Sequence, residues 1–170
     1  PWIVTMEALA PYRAAFTRPA DDPQPLPYLS SNMNSESRAL DVTLDVYLET
    51  ATMRAAKSEP HHISHGNLRD AAYWTVAQLV AHHTVNGCNM QSGDLLGTGT
   101  MSGPDEGSQG ALLEITDGGK KPIALANGET RTFLEDGDAV IMRASCEREG
   151  AVRIGFGSCV GEVLPARAVA

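Results

Sequence analysis

Two side chains between positions 92 and 116 could support chemistry, the carboxylate of Glu114 and the hydroxyl of Thr100. Thr100 ends the run Gly97-Thr98-Gly99-Thr100, whose glycines carry no side chain and let a ligand approach the main chain closely. The threonine hydroxyls offer hydrogen-bond donors beside that open backbone. Glu114 lies in the segment 111–116, which we predict to be a strand in which the glutamate shares a face with a leucine. The pattern indicates a partly buried carboxylate after an accessible loop; the alternative is an ordinary turn and a solvated strand glutamate.

A group of three histidines is a second candidate, because imidazoles bind metals and His61 and His65 are four residues apart, with His62 between them. That spacing requires a helix, whereas Pro60 and Gly66 bracket the segment, so we predict a solvated loop instead. Because no other set of Asp, Glu and His residues has metal-ligand spacing, we assign no metal ligand to this chain. We expect the isolated chain to bind no divalent metal ion tightly, which titration with Mg²⁺ or Ca²⁺ would test.

The remaining histidines and the cysteines show no pattern of a catalytic nucleophile. His82 and His83 fall in the last turn of a predicted helix, where an imidazolium interacts favourably with the helix dipole. Because His83 lies on the apolar stripe of that helix, we predict a packing residue rather than a catalyst. Cys88 follows the helix C-terminus, which is the wrong end to lower the pKa of a thiol. Cys146 and Cys159 fall in strand patterns, and we predict that they act as small apolar residues.

Length and charge limit the classes of function. The 170 residues suit a single domain over 1–170, and 13 basic against 21 acidic residues give a net charge of −8. No basic cluster is present, which argues against a nucleic-acid or anionic-membrane partner. There is no apolar run of about 18 residues and no secretory signal. Three cysteines without Cys-x-x-Cys spacing favour reduced thiols in the cytoplasm.

Periodicity predicts the elements that must position these side chains. Apolar and polar residues alternate from Leu40 to Glu49, which is typical of a strand with one wet face. A 3.6-residue apolar stripe predicts one long helix over Asn67–Gly87, with Asn67 as its N-cap. We interpret Thr50–Pro60 as a loop and Arg13–Arg38 as a proline-rich surface crossing. The segment from Pro1 reads like the middle of a strand and lacks an initiator methionine, so we expect a piece of a longer polypeptide.

The part of the chain after residue 116 reads as strands and turns. Asn127-Gly128 is a strong hairpin signal, and the Glu135-Asp136-Gly137-Asp138 run reads as a turn. We therefore predict an α+β, β-rich domain in which one principal helix packs on a rolled mixed β-sheet. The predicted strands of this part are Thr130–Leu134, Ala139–Cys146, Ala151–Gly157 and Glu162–Leu164.

Several blocks of the sequence have a distinctive composition and follow one another in a fixed order. They are Pro1–Leu9, Tyr73-Trp74-Thr75, His82–Asn89, Gly93-Asp94-Leu95-Leu96, Gly99–Pro104, Gly128–Asp138 and Arg153–Ala166. Together they closely resemble the C-terminal part of the fumarylacetoacetase (fumarylacetoacetate hydrolase) family. The resemblance covers nearly the whole chain in order, and the Asn-Gly-Cys-Asn block and the closing Leu-Pro-Ala are specific to it. The segment His61–His65 departs from the family pattern.

The resemblance implies the C-terminal portion of a catalytic domain from a cytosolic, homodimeric, metal-dependent enzyme of tyrosine and phenylalanine breakdown. Such an enzyme hydrolyses a carbon–carbon bond in 4-fumarylacetoacetate, a small β-diketo acid, to fumarate and acetoacetate. By position, Glu114 resembles the carboxylate that orients the family's base histidine, and Thr100 resembles a substrate-binding hydroxyl. The implied Mg²⁺ or Ca²⁺ acts as a Lewis acid on the β-diketone, and its ligands are expected outside this chain segment. On this basis the isolated fragment is expected to be inactive.

Two other interpretations remain at this point. The chain could come from another enzyme of the same superfamily, such as an acylpyruvate hydrolase, an isomerase or a decarboxylase. It could also be a structural or dimerisation domain without a complete site. Whether Glu114 and Thr100 face a common cleft would discriminate between the enzymatic and the structural interpretation.

Overall fold

Strands and short helices alternate through residues 2–167, the part of the chain that the computed structural model describes. The strands are β1 (Arg13–Ala14), β2 (Ala39–Leu40), β3 (Thr43–Glu49), β4 (His61–Asn67), β5 (Ile123–Ala124), β6 (Thr130–Arg131), β7 (Ala139–Cys146) and β8 (Ile154–Glu162). The helices are α1 (Asn32–Ser37), α2 (Ala51–Ala56), α3 (Leu68–Ala71), α4 (Val76–Thr84) and α5 (Leu112–Ile115). The predicted α+β class is confirmed, and none of these helices is long and apolar enough to cross a membrane.

The main sheet has the strand order β4-β3-β7-β8, and two-stranded pairs form between β1 and β2 and between β5 and β6. Each of these pairs is antiparallel, whereas we had expected a mixed sheet. The hairpin prediction at Asn127-Gly128 is confirmed, since β5 and β6 flank it and Gly128 has a φ of 87°. A glycine adopts this conformation without the steric cost of a Cβ atom. β4 is an edge strand, which leaves one side of it open to neighbouring loops.

Two small clusters of buried side chains form the core. In the first cluster Leu48 and Met53 are fully buried and pack with the buried Leu125. The second cluster contains Leu9, Tyr12, Leu40, Val42 and Cys146. Cys146 is fully buried, as predicted, and burial raises the pKa of its thiol. Cys159 is exposed, so the prediction of a packing role for it is wrong.

The prediction of one long helix over Asn67–Gly87 is wrong, because this segment contains two separate helices, α3 and α4. Asn67 does cap α3, as expected. A second start signal lies at Thr75, whose hydroxyl accepts from the Gln78 backbone N–H at 3.2 Å. The Gln78 side chain accepts in return from the Thr75 N–H at 3.0 Å, which completes a capping box. This reciprocal cap satisfies the first amides of α4 and fixes the start of a new helix there.

Three segments outside that helix also differ from their predictions. The predicted loop Thr50–Pro60 contains α2, because Thr50 caps it by accepting from the Met53 N–H at 3.1 Å. The predicted loop at His61–His65 is part of β4, which pairs with β3. The predicted strand 111–116 is the single-turn helix α5. In the first two cases a cap at Thr50 and the pairing of β4 with β3 outweigh the pattern read along the chain.

The bounds of several predicted strands also differ from the observed ones. The predicted strand Leu40–Glu49 divides into β2 and β3, with the buried Val42 between them. The predicted strands Ala151–Gly157 and Glu162–Leu164 are replaced by the continuous strand β8, and only Thr130–Arg131 of the predicted Thr130–Leu134 is a strand. Pro1 lies outside the described residues, and the residues from Trp2 to Thr5 are not in a strand.

Candidate functional site

Glu114 lies on α5 and is exposed, so the predicted partial burial is wrong. Its side chain is nevertheless held in place, because Ser102 Oγ donates a hydrogen bond to Glu114 Oε2 at 2.6 Å. Ser102 Oγ in turn accepts from the Gly110 backbone N–H at 3.0 Å. Glu114 Oε1 has no hydrogen-bond partner within residues 2–167. The carboxylate therefore has one oxygen fixed by the loop and one oxygen free to accept from another group.

Gly110 is the contact that brings the two loop segments together. A Cβ atom at this position would lie 2.7 Å from the Thr100 methyl group and still closer to the Met101 carbonyl oxygen. Real Cβ contacts do not occur at such distances, so any larger residue would push residue 100 away from α5. The absence of a side chain at Gly110 thus places Thr100 and Ser102 beside the helix that carries Glu114.

Thr100 lines a cavity of about 240 Å³ between its loop and the main sheet. The lining also includes the apolar side chains of Leu44, Val46 and Met142 and two charged residues, Asp45 and Arg143. The Thr100 hydroxyl has no hydrogen-bond partner among residues 2–167. The site therefore combines an apolar wall, a free hydroxyl and one charge of each sign, of which Arg143 can pair with an anionic group.

Glu114 does not line this cavity, although Ser102 links it to the Thr100 loop. The structure therefore brings the two predicted site residues into one neighbourhood. Thr100 lies two positions before Ser102, and Ser102 is hydrogen-bonded to Glu114. It does not place both side chains in the same cavity. Ser102 and Arg143 are the members of this neighbourhood that the sequence analysis missed. Ser102 shares the Gly-Thr loop with Thr100, and that position was the available signal.

A separate group of ionisable side chains converges on the outer face of the main sheet. Asp45, His62 and His65 each offer a ligand atom, and these atoms lie within 4.8 Å of one another. This corrects the statement that the chain holds no convergent metal-ligand set. The set was missed because His62 and His65 were assigned to a loop, whereas both lie on β4 beside Asp45 of β3.

The donor set of this group does not fit the Mg²⁺ or Ca²⁺ ion that the family resemblance implies. Those ions prefer shells of oxygen atoms, whereas this group has two imidazoles and one carboxylate. We therefore derive no step of a reaction from a metal bound at these three residues.

The remaining histidines are surface residues. The exposed His83 Nε2 lies 3.2 Å from the Sγ atom of the exposed Cys88, so the packing role predicted for His83 is wrong. His82 Nδ1 lies 2.9 Å from the Tyr28 hydroxyl, which joins α4 to the proline-rich crossing. Neither histidine contacts Glu114. The described residues thus contain no histidine in position to act with this carboxylate.

Comparison with known proteins places the chain in a defined context. A family model described as fumarylacetoacetate (FAA) hydrolase C-terminal matches residues 1–164. The fumarylacetoacetase of Dictyostelium discoideum is 47% identical over 168 residues, which cover 98% of this chain and 37% of that protein. The fumarylacetoacetase of Oryza sativa subsp. japonica is 47% identical over 98% of this chain and 36% of its own length. The fumarylacetoacetase of Homo sapiens is 46% identical over 98% of this chain and 37% of its own length. The chain thus spans little more than a third of the curated relatives it matches.

Proposed function

The chain belongs to the fumarylacetoacetate hydrolase C-terminal family, and from that premise we propose that its protein hydrolyses a carbon–carbon bond in 4-fumarylacetoacetate, releasing fumarate and acetoacetate. The observation that carries this proposal is identity of 45–47% over 97–98% of the chain to proteins named fumarylacetoacetase. The site geometry adds support, because the free hydroxyl of Thr100 and the cationic Arg143 line one cavity.

In this proposal Glu114 is a positioning residue. A histidine outside this chain segment donates a hydrogen bond to Glu114 Oε1 and removes a proton from the attacking water. The resulting hydroxide adds to a carbonyl carbon, the adjacent carbon–carbon bond breaks, and the carbanion that leaves takes up a proton to give acetoacetate. General base catalysis of this kind typically contributes roughly 10²–10⁴ in rate. The Ser102 hydroxyl keeps the carboxylate in place while Oε1 remains available.

Thr100 is the substrate-binding residue of the proposal. Its hydroxyl donates a hydrogen bond to a carboxylate or carbonyl oxygen of the substrate. The neighbouring Gly99 carries no side chain and so leaves room for the substrate to approach the loop. Arg143 in the lining of the same cavity offers a positive charge to a second anionic group. A substrate with carboxylates at both ends and carbonyls between them matches this arrangement.

The proposal includes features that come from the family resemblance. The protein would be a cytoplasmic homodimer in tyrosine and phenylalanine catabolism, with Mg²⁺ or Ca²⁺ bound by ligands outside this chain segment. Three free cysteines, Cys88, Cys146 and Cys159, are consistent with a reducing compartment. The bound cation would polarise the diketone oxygen atoms.

A substrate panel tests the proposed function. The complete protein should convert 4-fumarylacetoacetate to equimolar fumarate and acetoacetate, measured by chromatography of both products. Acylpyruvates and β-keto acids of similar size should react at least about tenfold more slowly, a ratio that small differences in binding readily produce. A preference for an acylpyruvate, or decarboxylation without fumarate, would assign the protein to another activity of the superfamily.

A further inference from the structure

Two histidines of β4, His62 and His65, share a face with Asp45 because of a β-bulge. Asp45 pairs with His65, and Tyr47 pairs with His62, so a step of two residues on β3 matches a step of three residues on β4. The register shifts between Val46 and Tyr47, and Ile63 is the extra residue. Residues three apart on a regular strand point to opposite faces, whereas the bulge turns both imidazoles to the same face.

Asp45 lies between the two imidazoles. His62 Nε2 is 2.9 Å from Asp45 Oδ1, and His65 Nδ1 is 2.8 Å from the same oxygen. The side chains are 43% exposed for His62 and 64% exposed for His65, while that of Asp45 is 23% exposed. Solvent therefore reaches the group, and within residues 2–167 the second carboxylate oxygen has no hydrogen-bond partner.

Neighbouring side chains restrict the orientation of this group. The His62 ring stacks on Tyr47 with the ring centroids 4.6 Å apart and the planes inclined by 21°. Arg143, the β7 partner of Asp45, places its guanidinium 5.2 Å from the Tyr47 ring centroid and donates to Ser158 Oγ at 3.2 Å. Arg143 thus has contacts of its own and does not occupy the free side of the carboxylate described above.

We propose that Asp45, His62 and His65 form a surface binding site for a divalent transition-metal ion of the Zn²⁺ type, which connects the edge strand β4 to β3. Two imidazoles and one carboxylate are a donor set that suits Zn²⁺, Co²⁺ and Ni²⁺, with water at the open position. A zinc ion with ligands at about 2.0–2.1 Å holds donor atoms about 3.4 Å apart, so the two short contacts must open by about half an ångström. Exposed side chains can make that adjustment by small rotations.

This site adjoins the cavity proposed for substrate binding, because Asp45 also lines that cavity with Thr100 and Arg143. It differs from the proposed catalytic site in its nitrogen donors, and it contains neither Glu114 nor Thr100. Because the ion would bind residues of two adjacent strands, it should oppose the opening of β4, which is held on its other side by loop contacts such as His65 N–H to the Gly107 carbonyl at 2.8 Å. Binding should therefore protect the backbone of β4.

Titration of the complete protein, after chelator treatment and dialysis, tests the proposal. Calorimetry with ZnCl₂, in enough MgCl₂ to occupy the metal site proposed outside this segment, should show a binding event that His62→Ala and His65→Ala each weaken by at least about tenfold, as even changes outside the ligand set often do. His61→Ala is the matched control, because His61 lies on the same strand outside the group and its variant should bind like wild type. An excess of MgCl₂ should not change the affinity with which these residues bind zinc.

A second measurement keeps the test independent of how well each variant binds. Zn²⁺ should slow amide hydrogen exchange in β4 of the wild-type protein, and should not do so in the folded His65→Ala variant. Co²⁺ should produce visible absorption bands that the same substitution removes. The proposal is overturned if Zn²⁺ binds more weakly than about 100 µM or if both histidine variants bind as tightly as wild type. The three side chains would then be a hydrogen-bonded surface group only.

Discussion

The guanidinium of Arg131 donates two hydrogen bonds to the buried carboxylate of Asp138, from Nε to Oδ2 at 2.8 Å and from Nη2 to Oδ1 at 3.0 Å. Asp138 is 1% exposed, and its Oδ2 also accepts from the Glu135 N–H at 2.9 Å. This pair ties β6 to the start of β7 and holds the turn between them. The hydrogen bonds that Arg131 donates to the Asp138 carboxylate raise the pKa of Arg131.

Asp138→Ala should lower the free energy of unfolding by about 1–3 kcal/mol, because Arg131 loses two hydrogen bonds and keeps only the more distant carboxylates of Glu129 and Glu135, at 3.6 and 3.5 Å. Urea denaturation followed by circular dichroism measures the change. Asp136→Ala in the same turn is the matched control, since Asp136 is exposed and should alter stability by less than about 0.5 kcal/mol. Equal effects of the two substitutions would show that the Arg131–Asp138 pair does not stabilise the fold.

Glu114→Gln should reduce kcat by roughly 10²–10⁴ with little change in KM, because the amide cannot stabilise the imidazolium that forms when the base histidine takes its proton. Steady-state kinetics of the complete enzyme with 4-fumarylacetoacetate measure it. The control is Glu36→Gln, an exposed carboxylate on α1 far from the Gly-Thr loop in sequence. Activity within threefold of wild type in the folded Glu114→Gln variant would make Glu114 an ordinary surface residue.

Thr100→Val should weaken substrate binding by about 1–3 kcal/mol, since the variant keeps the shape of the side chain and loses the hydroxyl donor. The thermal midpoint should stay close to that of wild type, because the hydroxyl has no partner in the part of the chain described. Thr98→Val is the matched control in the same loop, where the Thr98 hydroxyl contacts only the neighbouring Gly99 carbonyl at 3.1 Å. Unchanged KM and kcat for Thr100→Val would exclude a binding role.

Thr75→Ala should destabilise the protein by about 0.5–2 kcal/mol, because it removes the N-cap of α4. The Thr75 hydroxyl also donates to Asn34 Oδ1 at 2.5 Å, which links α4 to α1. Thr75→Ser retains the capping oxygen and should recover most of the lost stability in the same denaturation experiment. A serine variant as unstable as the alanine variant would argue that the methyl group, rather than the cap, is responsible.

Stability should decrease with acid partly through Glu129. Hydrogen bonds from Thr50 and Asn127 hold the pKa of this carboxyl below its ordinary value. A lowered folded-state pKa contributes stability that is present above the ordinary carboxyl pKa and is lost as the pH falls through the folded value. Glu129→Gln should therefore flatten the acid side of the stability–pH curve measured by urea denaturation. An identical slope in the variant would show that other carboxyls account for the acid sensitivity.

Features set by adjacent residues could be predicted from the sequence. The Asn127-Gly128 hairpin needs only two neighbouring residues with access to positive φ, and the structure confirms it. The strand character of residues 43–49 follows from strict alternation, which places Leu48 in the core. Membership of the family followed from blocks of sequence that are too specific to arise from composition. These signals survive because they depend on short-range chemistry.

Features that depend on contacts between distant residues were decided by the tertiary structure. The spacing of His62 and His65 is meaningless until a bulge at Ile63 and pairing with β3 turn both rings toward Asp45. The segment 111–116 contains a helical turn next to Gly110, which lies against the Thr100 loop, and Glu114 is exposed on that turn instead of partly buried. Periodicity along the chain records which side chains could share a face, whereas register and packing between segments determine which side chains meet.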